Sequence, residues 1–392
     1  MTPSNTSSRI PGLVAAVQAL GPLIDDHREA LAKGPDLPRP LADALTRAGL
    51  TQLWLPRALG GPETRPLDLV RAIEALARLD GAVAWCAMIS SVGSRFAGLM
   101  AAEPMRRHRP AGDMFGFSGS GQPTGSATPD GEGWRINGRW SWASFCRHSS
   151  ISFLMCVEQE DGAPWLTADG RPKMRGVLLP SEMVRVMGNW DGSGLRSSGS
   201  HDVTCTDAWV PDDCTTGMEF ARRQPGPLYH LPMASSFAIG ALGIPLGIAA
   251  ASIDHLATLA RTKVAFASAA PLREQEHVQL EVAWAKTRLH AARAFAFDAI
   301  GSLWASVSSG QPASVEQQAL LRLACWNAGD AGKEVVGRMY AAAGSTAVLE
   351  ESPFAAQLRD VHAACQHISF ATRLMVTSGR ILLGLDPGTP QI

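Results

Sequence analysis

A chain of 392 residues, 46% of them hydrophobic and 18% charged, has ample apolar material for a large core and length for two or three domains. Its formal net charge of -1 creates no broad field, which argues against nucleic acid or a membrane as a partner. The seven cysteines, at 86, 146, 156, 205, 214, 325 and 365, include no CxxC pair, so no metal site is expected and the thiols read as reduced and cytoplasmic. Residues 1–9 lack the apolar centre of a signal peptide. The apolar stretch 237–251 contains three glycines and a proline and is short for a membrane span.

The first zone, 1–111, reads as helical: Leu67, Leu69, Val70, Ile73 and Leu76 recur at helical steps, and Gly60-Gly61-Pro62 breaks the zone into several helices. The second, 112–217, is rich in glycine and serine. Trp134-Arg135-Ile136-Asn137, the run 151–157 and Gly176-Val177-Leu178-Leu179 read as strands, with Asn137-Gly138 and Asp161-Gly162 as turns between them. The third, 218–392, is helical again. A breaker-poor helix is expected over 274–307, and Ser314 with Gln317 predicts a capping box for the next. Ser352-Pro353 reads as an N-cap and a first-turn proline, opening a last helix that runs to Gly384. The expected fold class is α+β, mostly α: an N-terminal helical domain, a β-barrel-like domain and a C-terminal four-helix bundle.

Three segments carry chemistry. The first, Gly138-Arg139-Trp140-Ser141-Trp142-Ala143-Ser144-Phe145-Cys146-Arg147-His148, is similar to the G-x-W-x-F-x-S-G-x-x-H segment of flavin monooxygenases in the acyl-CoA dehydrogenase superfamily. The second, 190–203, resembles their W-x-x-x-G-L-R-G-T-G-S-x-D-V stretch. There Arg196, Ser198, Gly199 and Ser200 supply close backbone approach, hydroxyls and a cation for polar cofactor oxygens. The third is Arg359-Asp360 through His367. In the dehydrogenases this stretch leads to Y-E-G-T, whose glutamate removes an α-proton; here Ile368, Ser369 and Phe370 occupy the E-G-T places. His367, one position earlier, matches a histidine of the monooxygenase branch.

The resemblance implies that Ser144 sits near flavin N5 and that His367 is a general base on an acidic substrate group such as a phenol. Gly125, within Pro123-Gly125-Ala127, loosely fits a flavin-lining P-x-G-x-A pattern. His148, Phe145, Trp142 and His362 are expected at the substrate pocket, with Phe145 adding bulk where the pattern has glycine. On a continuous helix His362 and His367 diverge by about 140°. For Trp85, in a D-x-x-x-x-W stretch, core packing is the expected role. Lys263 and Phe266 resemble an R-x-x-F-G segment that reaches the flavin phosphates of a neighbouring subunit.

Gly119-Ser120-Gly121 and Gly192-Ser193-Gly194 do not sit in βαβ units, so no nicotinamide-binding unit is expected. The resemblance therefore implies reduced flavin (FAD or FMN) delivered by a separate NAD(P)H:flavin reductase, O2 as co-substrate, a C4a-hydroperoxide, a small substrate and a homotetramer. Two other readings stay open. One is an acyl-CoA dehydrogenase or oxidase with FAD and a relocated catalytic glutamate, for example on the helix of Glu274 or Glu281. The other is a non-catalytic flavin or acyl-ligand binding protein.

Overall fold

The structure is a computed structural model that describes residues 10–99, 115–217, 224–266 and 268–389. The expected boundary at 111/112 and residues 1–9 lie outside the described residues, as do residue 218 and Ala267.

The chain opens with helices α1 (Ile10–Gln18), α2 (Gly21–Asp26), α3 (Arg28–Lys33), α4 (Arg39–Arg47), α5 (Pro66–Leu79) and α6 (Gly81–Ser94). Pro66 begins α5 at a position where no intrahelical N–H is needed. Asp80 caps α6, its carboxylate accepting from the amides of Ala82 and Val83 at 2.9 and 3.0 Å.

Strands β1 (Phe117–Asp130), β2 (Gly133–Trp140), β3 (Ile151–Glu160), β4 (Ala163–Pro164), β5 (Met174–Pro180), β6 (Arg185–Val186), β7 (Val203–Pro211) and β8 (Thr215–Gly217) follow. They form one sheet along the open path β6-β7-β2-β1-β3-β5-β8, with β4 attached to β3. β1 and β3 are parallel and the other pairs antiparallel. Alternation along β3 serves two cores: Leu154 and Cys156 join Trp140, Ile136 and Val203, while Phe153 and Met155 meet Phe96 and Phe117 at the helical domain.

Asp161 and Gly162 turn β3 into β4, both with positive φ, as the sequence indicates. Asn137-Gly138 is not a turn. It lies inside β2 at a bulge against β7, where Asn137 Oδ1 accepts from the Asp207 amide at 2.7 Å.

Helices α7 (Met233–Leu259), α8 (Glu276–Ser308), α9 (Val315–Ala343), α10 (Pro353–Ala364) and α11 (Arg373–Leu382) complete the chain. α7 extends beyond 237–251 and is long and apolar enough to cross a membrane by length and composition. Yet 89% of its most apolar window is buried inside the protein, so it is a core helix here. Gly243 and Gly247 let α7 press against the backbone of α5, and both helical zones share one hydrophobic core. The Ser314–Gln317 capping box is present in full. Pro353 begins α10, but the buried Ser352 hydroxyl makes no cap bond. The expected single helix to Gly384 is broken after Ala364: residues 365–372 include a 3-10 turn, Ile368–Phe370, with His367 at its N-cap.

Candidate active site

The loop after β2 and the loop before β7 fold onto each other. The amide of Ala143 donates to His201 O and that of Phe145 to Ser198 O, both at 2.9 Å. Trp142 and Phe145 take positive φ (60° and 66°); the Ser144 amide donates back to Trp142 O at 2.9 Å, and the Cys146 amide closes a turn on Ala143 O at 3.1 Å with Ser144 and Phe145 at its tip. Left-handed backbone costs a non-glycine residue about 1–2 kcal/mol. It explains why the family pattern has glycine where Phe145 stands.

Phe145 is 1% exposed, with its ring against Gly116 and His148, so its bulk enters the core. Trp142 is 61% exposed.

Ser144 Oγ accepts from Trp85 Nε1 at 3.0 Å and bonds Ser200 Oγ at 2.7 Å; Ser200 Oγ in turn bonds Ser198 Oγ at 2.7 Å. All three serines are buried. The same loops grip residues 33–37, between α3 and α4. Asp36 takes Arg147 at 3.0 Å and His201 Nε2 at 3.1 Å, and the Gly199 amide donates to Pro35 O at 2.8 Å. A Cβ on Gly199 would lie 2.5 Å from Asp36 Oδ1, which explains that glycine.

His148 Nε2 donates to Leu37 O at 2.9 Å, and burial holds its imidazole below the usual range. Arg196 Nη2 donates to Lys33 O at 3.3 Å, while its buried Nε has no partner. The space beside Gly125 is filled by the Trp140 indole, which a Cβ there would meet at 2.0 Å.

The opposite wall is helical. His367 packs edge-on against Trp85, with ring centroids 5.7 Å apart, and 6.4 Å from Phe237. Trp85 thus stands between the two residues that the sequence marks most strongly, touching His367 with its ring and Ser144 with its N–H. Burial, reinforced by the Arg322 charge, lowers His367 to about 4. Its Nδ1 accepts from the Ser369 amide at 3.3 Å, which fixes the neutral ring with its proton on Nε2. In this arrangement the neutral His367 ring presents a donor.

His362 is exposed and lines a separate open groove of about 320 Å³ with Ser193, Leu358, Arg359, Ala363 and Gln366. Asp360 joins the third motif to the second: its Oδ1 accepts from the Leu195 amide at 2.7 Å. Burial and the nearby Asp80 carboxylate push Asp360 up to about 7.

Neither alternative glutamate is free. Glu281 pairs with Arg338 at 3.2 Å and Glu274 lies exposed beside Arg273 at 3.7 Å. Ile368, at the usual base position, is exposed. Lys263 Nζ is committed to Ala343 O at 2.5 Å and Thr346 Oγ1 at 2.8 Å, capping the end of α9, while Phe266 is fully exposed.

Residues 239–372 match a family profile described as acyl-CoA dehydrogenase, C-terminal domain. The chain is 25% identical to an indole-3-acetate monooxygenase of Acinetobacter baumannii over 88% of its own length and 87% of that protein's. Among solved structures it superposes on the HsaA monooxygenase from M. tuberculosis with a TM-score of 0.88 at 22% identity, covering 98% of this chain and all of that one. XiaF from Streptomyces sp., in complex with FADH2 and glycerol, gives 0.89 at 19% identity over 99% and 98% of the two chains.

Proposed function

We propose that this chain, which carries an acyl-CoA dehydrogenase C-terminal domain on an acyl-CoA dehydrogenase-like fold, is the oxygenase component of a flavin-dependent monooxygenase acting on a small aromatic substrate. The observation that carries this reading is Trp85, which links Ser144 to His367 in a site with no carboxylate bonded to either, among the described residues. Proton abstraction next to a thioester needs a base that this wall lacks; oxygen transfer needs placed hydrogen-bond donors in a dry site.

The polar groups fit a flavin. Arg196 keeps a buried donor unpartnered, and Ser144, Ser198 and Ser200 form a hydroxyl chain behind the loop. Bound reduced flavin supplies the two electrons with which O2 gives one oxygen atom to the substrate and one to water. Trp85 occupies one lone pair of Ser144, and Ser200 donates to the other when the chain runs from Ser198 outward. The Ser144 proton is then free to donate toward the cofactor. His367 holds its proton on Nε2 and offers it to oxygen that gains negative charge, while Trp85 and Phe237 exclude water around it.

The reading includes a separate NAD(P)H:flavin reductase and FAD or FMN as a reduced, delivered cofactor. It also includes a homotetramer, for which the exposed Phe266, Val376 and Leu383 provide apolar surface, and a cytoplasmic location, which suits seven unpaired cysteines. The test supplies chemically reduced FAD or FMN, 18O2 and a panel of aromatic substrates. One labelled oxygen per product is expected. Hydrogen peroxide as the sole product across the panel would sink the reading, and bleaching of oxidised flavin by an acyl-CoA thioester would favour the dehydrogenase.

A further inference from the structure

Among the described residues, two arginines are buried at the helices, and they differ in one respect. Arg95, 3% exposed, is fully engaged: Nε donates to Leu228 O at 3.1 Å and Nη2 to Leu231 O at 2.6 Å, with Nη1 3.6 Å from Met233 Sδ. It pins the segment that leads into α7. Arg322 on α9 is 6% exposed, yet no hydrogen bond or ion pair reaches it among the described residues, and its buried Nε is unpartnered. A guanidinium cannot shed its proton in a protein. An uncompensated charge at such a place is costly, and a fold that keeps one has a use for it.

The neighbours of Arg322 are short of partners too. Cys325 Sγ donates to Ala238 O at 3.2 Å, and Gly332 packs on Pro245 at the same spacing along both helices. α7 and α9 therefore run parallel, and Ser235 and Arg322 each lie three residues before the Ala238–Cys325 pair. The Ser235 hydroxyl is buried without a partner, and so is that of Ser369. Ser369 lies in the turn that packs on α9 through Phe370 and Gly329, and its amide is the one holding His367 Nδ1. Arg322, Ser235 and Ser369 thus stand on three elements that meet beside His367, and the Arg322 charge is felt at that imidazole.

We propose that Arg322, with Ser235 and Ser369, receives the carboxylate of an aromatic acid, so that the substrates are aryl carboxylates whose ring lies toward His367 between Trp85 and Phe237. One guanidinium and two hydroxyls match a singly charged group with two oxygens. A phosphate would bring more charge than one arginine balances. The inference deepens the oxygenase reading and rests on it. Indole-3-acetate, named for the Acinetobacter baumannii relative, is an acid of this class.

The test is calorimetric binding of indole-3-acetate and 4-hydroxyphenylacetate, each against its neutral amide, to protein loaded with reduced flavin under argon. The acids should bind at least about tenfold tighter than the amides, the value of a hydrogen-bonded charge. Arg322→Gln should abolish that preference and Arg322→Lys should retain part of it. Arg322→Gln should melt no lower than the wild type, because it removes an unbalanced buried charge; Arg95→Gln should melt lower. Equal affinity of acid and amide for the wild type, no binding of either acid, or a preference that survives Arg322→Gln would overturn the proposal. The wild-type comparison decides even if the Gln variant does not fold. Acid preference without labelled product leaves the carboxylate site standing and removes the oxygenase reading. Labelled product from neutral substrates with no acid preference does the reverse.

Discussion

The two walls of the cleft are built on opposite principles. On the sheet side, Ser144, Ser198 and Ser200 bond one another and Trp85, and the loops that carry them are tied to Asp36. On the helical side, Arg322 Nε and the hydroxyls of Ser235 and Ser369 are buried without a partner among the described residues. A wall whose hydroxyls are tied to one another is rigid before any ligand arrives and can hold a cofactor in one geometry, with the unpartnered Arg196 Nε left to meet it; a wall whose hydroxyls are untied gains most when a polar ligand enters. The difference fits the proposed reading, with flavin on the sheet side and the variable substrate on the helical side.

The contrast breaks most visibly at the two residues nearest the chemistry. Replacing His367 with Asn should cut labelled product about a hundredfold, within the range for a lost proton donor, while flavin affinity stays as it was. Because His367 stays neutral down to about 4, its contribution to turnover should be flat from pH 5 to pH 9. A limb near pH 6.5 that vanishes in His367→Asn would show a free titrating base and refute the donor role. The depressed value also makes folding weaker as pH falls from 6.5 toward 4, where only the unfolded chain takes the proton; the Asn variant should lose that dependence. Ser144→Ala should lower product by a similar order, and here hydrogen peroxide should rise and flavin binding weaken, since this serine belongs to the cofactor wall. Unchanged flavin affinity in Ser144→Ala would erase the distinction between the walls.

Much of this was legible in the sequence, and the pattern of what was not is physical. Helical periodicity over 67–76, the Ser314–Gln317 box and Asp161-Gly162 are local signals, and each appears in the structure where expected. Asn137-Gly138 misleads because a bulge uses the same residue types as a turn. The helix through 364–372 breaks without a proline or glycine to announce it, which moves His367 off the helix and frees it to meet Trp85. Ser144, Ser198 and Ser200 could be named from motifs. Trp85, Asp36 and His201 could not be assigned their roles that way, because each depends on a partner far along the chain. A buried arginine looks like any other in a sequence; only the absence of an acceptor sets Arg322 apart from Arg95.

Smaller effects sharpen the comparison at the joint between the walls. Asp360, raised to about 7, binds a proton in the folded state that the unfolded chain has released above about 4. Stability should therefore decline as pH rises from 4 through 7, and Asp360→Asn, which keeps an acceptor for the Leu195 amide, should be the more stable protein at pH 8 and about equal to the wild type at pH 4. Chemical denaturation at the two pH values measures this; a parallel shift at both would show that the carboxylate is not the cause.

The smallest expected effect falls on Trp85, which touches both Ser144 and His367. Trp85→Phe keeps most of the aromatic contact with His367 but deletes the N–H that donates to Ser144. The lost bond should cost about 1 kcal/mol of stability, since Ser144 retains Ser200. With a lone pair vacant, Ser144 can rotate to accept rather than donate, so the fraction of turnovers yielding product should fall severalfold while the rate of oxygen consumption changes little. If consumption and product fall together, Trp85 acts by shaping the space around His367, and the sheet wall is not the oriented donor chain that its bonding implies.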